Sequence, residues 1–383
     1  MGIYLDYNSS APIDKRVLDV MVNIYQNTYG NADSRTHDYG DGARKIVEGA
    51  RNNVASILSI NKDEVIFTSG ATESNNIAIL GLKNYAINEN KRHIITSSIE
   101  HKAVLETTKH MRKEGFEVEF IDPDESGRVS LEQVKHLLRE DTLLVSVMHV
   151  NNETGIIQPI KEIAEYLKDK PVLFHVDATQ SFGKLVEELR EVKYNMLSMS
   201  AHKLGGPQGV GALILRKQGY HMLPVKSITY GGQQEHGIRP GTIPVALVAG
   251  LGAACKYAEN EYKQNNKKCA VIKERLIEIL DKSGLSYEFN GNQEYCIPST
   301  MNICIHGVAS EALMLSSKQF CGVSNGSACN SNSYKPSYVL TAMGKPIEKI
   351  DNSIRISWGP EIDINEVEES FTNMIFIAKG LVF

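Results

Sequence analysis

The sequence lacks the patterns that would place it in several common classes of protein. Its six cysteines, Cys255, Cys269, Cys296, Cys304, Cys321 and Cys329, form no C-x-x-C pair and no Cys/His set at zinc spacing. In a chain of 383 residues this argues against a disulfide framework and for free thiols in a reducing compartment, and no metal site is expected. No segment approaches the ~18 consecutive apolar residues of a membrane span. The opening residues, MGIYLDYNSSAPID, lack a basic start and an apolar run of signal-peptide length, so a cytoplasmic protein is expected. Positive charge is not in surplus either. A net charge of −5 gives no pull toward nucleic acid or anionic membrane, so direct binding to either is not expected. There is no repeat, low-complexity tract or Pro-rich linker.

What is present is an ordinary globular composition, 42% hydrophobic and 23% charged, at a length that suits a large domain with a smaller one beside it. Short apolar runs are followed by polar or glycine-rich turns and then helical patterns: EVIFTSGATESNNIAILGLKNYA, HIITSSIEHKAVLETTKHMRKEG, TLLVSVMHVNNETG leading into IKEIAEYLKD, and VLFHVDATQSFGKL. This alternation predicts βαβ units and a mostly parallel sheet, an α/β fold. Ligands of such sheets bind beyond the carboxyl ends of the strands, so polar residues just after these runs are the candidates for chemistry. A charged helical stretch is expected from about Gly252 to Ser283, followed by the strand-like TMNICIHG and NSIRISWG. The expected division is a large domain over 13–259, with 1–12 and 260–383 forming a smaller α+β domain that carries a loop at about 323–338.

Five pieces fall at successive strand ends. Ser200, His202 and Lys203 follow YNMLSM; a lysine in a crowded, partly dry site loses basicity and can form a Schiff base with a carbonyl cofactor. Asp177 follows VLFHV and either caps a helix or meets a pyridinium nitrogen. The turn FTSGATES can hold a phosphate on the amides of a helix start, or is an ordinary helix capped by Ser69 or Thr72; it lacks Walker A spacing. His101 in SIEHKAV has a face that can stack on a ring and nitrogens that move protons near neutral pH. Asn151 and Asn152 in MHVNNETG are turn residues or ligand contacts. Lysine, aspartate, glycine turn and histidine together are what a pyridoxal 5'-phosphate site needs.

The stretch VSNGSACNSNSYKPSYVL sets Cys329 among small polar residues that build no core, although cysteine is usually buried. Taken in order, GNADSRTH, FTSGATESNN, EHKAV, MHVNNETG, HVDATQ, AHKLGGPQGVGAL, RPGTIP, SNGSAC and SIRISWG resemble the NifS/IscS-type cysteine desulfurases, from YLDYNSSAP almost to the C-terminus. The resemblance implies a fold type I, aminotransferase-like homodimer that removes sulfur from L-cysteine, leaves L-alanine and holds the sulfur as a persulfide for an acceptor protein.

Carried over residue by residue, the resemblance implies that Lys203 bonds the cofactor and then moves the α-proton. Asp177 pairs with the ring nitrogen, Gln180 reaches the phenolic oxygen, and His101 stacks on the ring as acid and base. Ala71, Thr72, Ser200 and His202 hold the phosphate, joined by Thr242 of the other subunit. Asn152 and Arg355 hold the substrate carboxylate, and Cys329 attacks its sulfur; Arg suits a carboxylate through its planar fork. On this assignment the other five cysteines are structural or incidental, with Cys321 expected in a strand.

Asn325 and Asn330 stand where the housekeeping form commonly has Ser and Thr, and Ala201 and Gly206 where it has Gly and an aromatic. With SYKPS, these resemble the DndA-type desulfurases of DNA phosphorothioation, the alternatives being sulfur supply for iron–sulfur clusters or tRNA thiolation and selenocysteine lyase activity.

Overall fold

A computed structural model describes residues 2–217, 219, 221–326 and 335–382; Cys329 and Asn330 lie outside the described residues. The larger sheet holds seven strands: β2 (Val65–Thr68), β3 (His93–Ser97), β4 (Glu117–Ile121), β5 (Thr142–Met148), β6 (Leu173–Asp177), β7 (Met196–Ser200) and β8 (Gly211–Leu215). Their spatial order is β2-β8-β7-β6-β5-β3-β4, and only β8 runs antiparallel to its neighbours. The expected α/β fold with a mostly parallel sheet is present.

Its strands are buried on both faces, so adjacent residues enter opposite cores. Ile95, Val145 and Ile214 pack on one side with the helix Asp38–Leu58, whereas Ile94, Leu144 and Leu213 pack on the other with Ile77 and Val104. This explains the near-continuous apolar runs of the sequence. Chain order reverses between β3 and β5, because β4 lies outside β3 while β6 and β7 follow β5 on the other side. The loops leaving two such strands diverge and open a crevice.

A smaller antiparallel sheet, β12-β10-β9, comprises β9 (Tyr287–Phe289), β10 (Thr300–Ile305) and β12 (Ser353–Ser357). Beside it, β1 (Ile3–Tyr4) pairs in parallel with β11 (Cys321–Gly322), which brings the first residues of the chain to this part of the molecule and places Cys321 in a strand. A separate core joins Leu5, Leu276, Ile303, Ile356 and Phe371 around Trp358, whose indole N–H donates to the Cys269 carbonyl at 3.1 Å.

The helix Val245–Ser283 connects the two cores: Val248 and Leu251 pack with the large sheet, Ile272 and Leu276 with the small one. It starts earlier than the expected Gly252, directly after Pro244, since the apolar VALVAGLG segment belongs to its buried first turns. Position 260 lies inside this helix. Among the described residues no helix is long and apolar enough to cross a membrane.

Candidate active site

A cleft of about 1080 Å³ opens at the carboxyl ends of β3, β5, β6 and β7. Ala71, Thr72, His101, Asn152, Asp177, Gln180, Ser200, His202, Lys203 and Arg355 all line it. Thr242 does not; it is exposed, outside the cleft of its own chain. Local geometry explains each placement.

Asp177 ends β6 and caps no helix. Its Oδ1 accepts from the Thr179 amide at 3.0 Å and hydroxyl at 2.5 Å, and its Oδ2 accepts from Asn75 Nδ2 at 2.8 Å. Three donors therefore hold a 4% exposed carboxylate in one orientation. Lys203 closes the short 3-10 turn Ala201–Lys203 after β7, and its Nζ donates to the backbone carbonyls of Asn8 at 2.6 Å and Ser9 at 2.5 Å.

His101 caps the helix Lys102–Lys113: its Nδ1 accepts from the Ala103 amide at 3.1 Å, so the neutral ring carries its proton on Nε2. The ring borders the open cleft, yet the protein packed around it lowers its pKa by desolvation, opposed by Asp177 and reinforced by Lys203 and Lys102. His202 is pushed down to about 4, first by burial and then by the Lys203 charge, so at neutral pH it is an uncharged hydrogen-bonding group. Its Nδ1 lies 3.3 Å from Ser10 Oγ.

The helix Ala71–Leu80 is capped by Gly70, not by Ser69 or Thr72. Gly70 has φ +152° and ψ −179°, a conformation essentially restricted to glycine. The first amides of the helix have no partner within it, which makes its start suited to an anion. A Cβ on Gly70 would sit 3.5 Å from Ser200 Oγ, so Ser200 stands directly beside this cradle. A Cβ on Gly206 would lie 2.9 Å from both the Cβ and the carbonyl oxygen of Ala201, so the turn here leaves no room for a side chain at 206.

Across the cleft, Arg355 lies in the middle of β12, with Nη2 donating to Asp6 Oδ1 at 2.5 Å and Nη1 to the Asn152 carbonyl at 2.9 Å. The two asparagines divide their tasks. Asn151 Oδ1 accepts the amides of Glu153 and Thr154, each at 2.9 Å, and builds the turn, while Asn152 lines the cleft. Three buried polar atoms there, Gln180 Oε1, Asn152 Oδ1 and Arg355 Nε, have no partner among the described residues.

Sequence reasoning missed Asn8, which joins the two sides of the cleft. Its Nδ2 donates to the Asn152 carbonyl at 3.2 Å and to Thr300 Oγ1 at 3.1 Å, and its own carbonyl accepts from Gln180 at 2.9 Å and from Lys203. Asp6, Asn75 and Glu153 were missed as well. For Asp6 and Asn8 the available signal was the dense polar run DYNSS directly after a short apolar start, and for Asn75 and Glu153 their place inside FTSGATESNN and MHVNNETG. None of the five described cysteines suits a nucleophile: burial raises the pKa of each, for example to about 11 for Cys304 and about 12 for Cys321. The described residues contain no His/Cys/Asp/Glu cluster able to hold a metal.

A lysine, a fixed carboxylate and a helix start suited to an anion thus stand together at the strand ends of an α/β sheet. The family model described as Aminotransferase class-V matches residues 3–369, and the chain belongs to this family. It is 41% identical over 362 residues to Cysteine desulfurase IscS of Vibrio cholerae serotype O1, covering 94% of this chain and 88% of that protein. A solved NifS-like protein matches with a TM-score of 0.91 at 34% identity, covering 100% of both chains. The crystal structure of DndA from Streptomyces lividans matches with a TM-score of 0.81 at 45% identity, covering 93% of this chain and 99% of that one.

Proposed function

We propose that the protein is a cysteine desulfurase: it uses pyridoxal 5'-phosphate to convert L-cysteine to L-alanine, and it leaves the sulfur on Cys329 as a persulfide for an acceptor protein. The observation that carries this reading is the convergence of Lys203, Asp177 and His101, from three different strand ends, opposite Asn152 and Arg355 in one cleft.

The donor set suits the cofactor. Asp177, oriented by Asn75 and Thr179, presents negative charge to a protonated ring nitrogen. The start of the helix Ala71–Leu80, with Ser200 and neutral His202, suits the phosphate. The buried, unpartnered amide oxygens of Gln180 and Asn152 are what a polar ligand leaves open for itself, since buried polar groups are otherwise paired. Bound there, pyridoxal phosphate supplies an electron sink for the charge left on the substrate's Cα.

The chain's own residues do the rest. Arg355, with Nε still unpartnered, and Asn152 hold the substrate carboxylate. Lys203 Nζ takes the Cα proton and gives one back to Cα once the sulfur has left. His101, neutral and protonated on Nε2, is poised to give a proton. The Cys329 thiolate attacks the substrate sulfur; the S–S bond forms as the C–S bond breaks, and the carbon takes a proton to become the methyl group of alanine.

Exposed Thr242 serves the cleft of a second copy in a homodimer. The 45% identity to DndA supports the DNA-phosphorothioation branch, with a cytoplasmic acceptor protein as the next carrier; iron–sulfur supply is the alternative supported by the 41% identity to IscS.

The test gives L-cysteine to purified wild type and Cys329→Ser while cofactor absorption, alanine and sulfide are followed together. The expected result is alanine with reductant-dependent sulfide from the yellow wild type, and colour without either product from the variant. Equal turnover in both proteins overturns the role of Cys329. Deleting the gene and measuring phosphorothioate in cellular DNA separates the two pathways.

A further inference from the structure

Glu153 is a cleft residue to which the reaction above gives no task. It is 1% exposed and its backbone is pinned at both ends, the amide by Asn151 Oδ1 at 2.9 Å and the carbonyl by Asn302 Nδ2 of β10 at 3.0 Å. The carboxyl group therefore projects from a fixed base.

That group meets both ends of the segment that carries Cys329. On the far side, Ser337 Oγ donates to Glu153 Oε2 at 2.5 Å while accepting the Leu340 amide at 3.1 Å, so one hydroxyl joins the carboxyl to the start of the helix Tyr338–Ala342. On the near side, the backbone of Gly326 packs on the carboxyl so closely that a Cβ there would lie 2.5 Å from Oε2, and its φ of +81° also favours glycine. The same turn touches the substrate pocket: the carbonyl of adjacent Asn152 accepts from Arg355, and Arg355 exchanges backbone hydrogen bonds with Ser324.

We infer that Glu153 is a positioning residue for sulfur transfer, tying Gly326 and Ser337 together against the Asn152–Arg355 face so that Cys329 is delivered to the substrate sulfur. The inference rests on the desulfurase reading. The physical need is plain. Eight residues, 327–334, lie between Gly326 and Lys335, and the sulfur they deliver must approach another sulfur in line. An error of about 1 Å in such an approach costs about 10²-fold in rate. Burial also pushes Glu153 up to about 7, against the opposing effects of Ser337, Arg355 and Lys102.

The test uses holoenzyme and reads two quantities: the half-saturating cysteine concentration, from the substrate-induced change in cofactor absorption, and kcat, from alanine. For Glu153→Ala, half-saturation should stay within about twofold of wild type while kcat falls about 10²-fold. Ser337→Ala should show the same split with a smaller loss. In Glu153→Gln the amide oxygen still accepts from Ser337, and kcat should recover to within about tenfold of wild type. Unchanged kcat in Glu153→Ala and Ser337→Ala overturns the inference, as does a parallel loss of cofactor colour and cysteine response in all three variants. A wild type that makes no alanine overturns the desulfurase reading itself.

Discussion

The two walls of the cleft are built on different principles. Behind the wall with Asp177, Ser200 and Lys203 stands a seven-stranded ladder, and each functional group leaves the end of a strand whose backbone is bonded to neighbours. The wall with Arg355, Ser324, Gly326, Ser337 and Tyr338 adds long-range side-chain ties to the backbone of β12: Asp6 on Arg355, Glu153 on Ser337, and Tyr338 on the Glu100 carbonyl at 2.8 Å. The first two of these bonds join residues 349 and 184 positions apart. The difference suits the proposed chemistry. Removing a proton from a bound amino acid calls for groups held in one place, and a thiol that receives sulfur and passes it on calls for firm anchors on either side, here Gly326 and Ser337.

The comparison can be broken most directly at Lys203. Lys203→Ala should lower alanine formation by about 10³-fold or more, general acid–base groups commonly contributing 10² to 10⁴, while the thermal transition of the protein without cofactor stays put. A large drop in that transition would mean that the lysine supports the wall instead of working on it.

The next largest effect is expected in stability. Arg51 and Glu235 form a buried pair, with Nη1 and Nη2 at 2.8 and 2.6 Å from the carboxylate, and Glu235 also accepts the Phe67 amide of β2 at 2.7 Å. Glu235→Ala leaves the buried arginine with only Glu48 at 3.3 Å and the Val65 carbonyl, and leaves the Phe67 amide without its acceptor; it should cost about 3 kcal/mol in denaturant unfolding. A loss below about 1 kcal/mol would show that the edge of the sheet wall does not need this pair.

Buried titratable groups set the pH window of stability. Glu100, enclosed beside His101, is pushed up to about 8 mainly by burial, so across the interval from 4.5 to about 8 the unfolded state holds fewer protons than the folded one and stability falls as pH rises. His175, fully buried, is pushed down to about 4, so stability falls as pH drops from 6.5 toward 4. Glu100→Gln should therefore raise the melting temperature at pH 9 relative to wild type by about 2 °C or more, and by clearly less at pH 4. An equal shift at both values would remove the titration argument.

The smallest effect tests the side-chain wall alone. Tyr338→Phe deletes one hydrogen bond to the Glu100 carbonyl, worth about 1 kcal/mol, and should slow alanine formation about fivefold with cysteine half-saturation unchanged. A rate equal to wild type would mean that Glu153 and Ser337 suffice.

Much of the sheet wall was legible in the sequence, because period and turn chemistry are local. The fully buried runs HIITS, LFHVD and MLSMS read as strands, and His101, Asp177 and Ser200 sit at or just beyond their ends. Two readings of FTSGATES stayed open in the sequence, a tight glycine turn and an ordinary cap at Ser69 or Thr72, and the backbone at Gly70 decides for the glycine. The opposite wall was nearly invisible. Nothing near Asp6 points to Arg355, nothing near Glu153 points to Gly326 or Ser337, and Asn8 looks like any polar residue after a short strand.

By itself, then, the sequence determined which segments become strands and helices, which residues stand at strand ends, and that one thiol lies apart from the apolar segments. It could do so because backbone preference and burial pattern act over a few residues. Tertiary structure alone decided that Asn8 carries Lys203 and Gln180, that Asp6 holds Arg355, and that one buried carboxyl at Glu153 faces both ends of the cysteine segment. Those partners meet only when two sheets and the helix between them pack, and the hydrogen bonds that join them are set by that packing, over distances in the chain that no local pattern encodes.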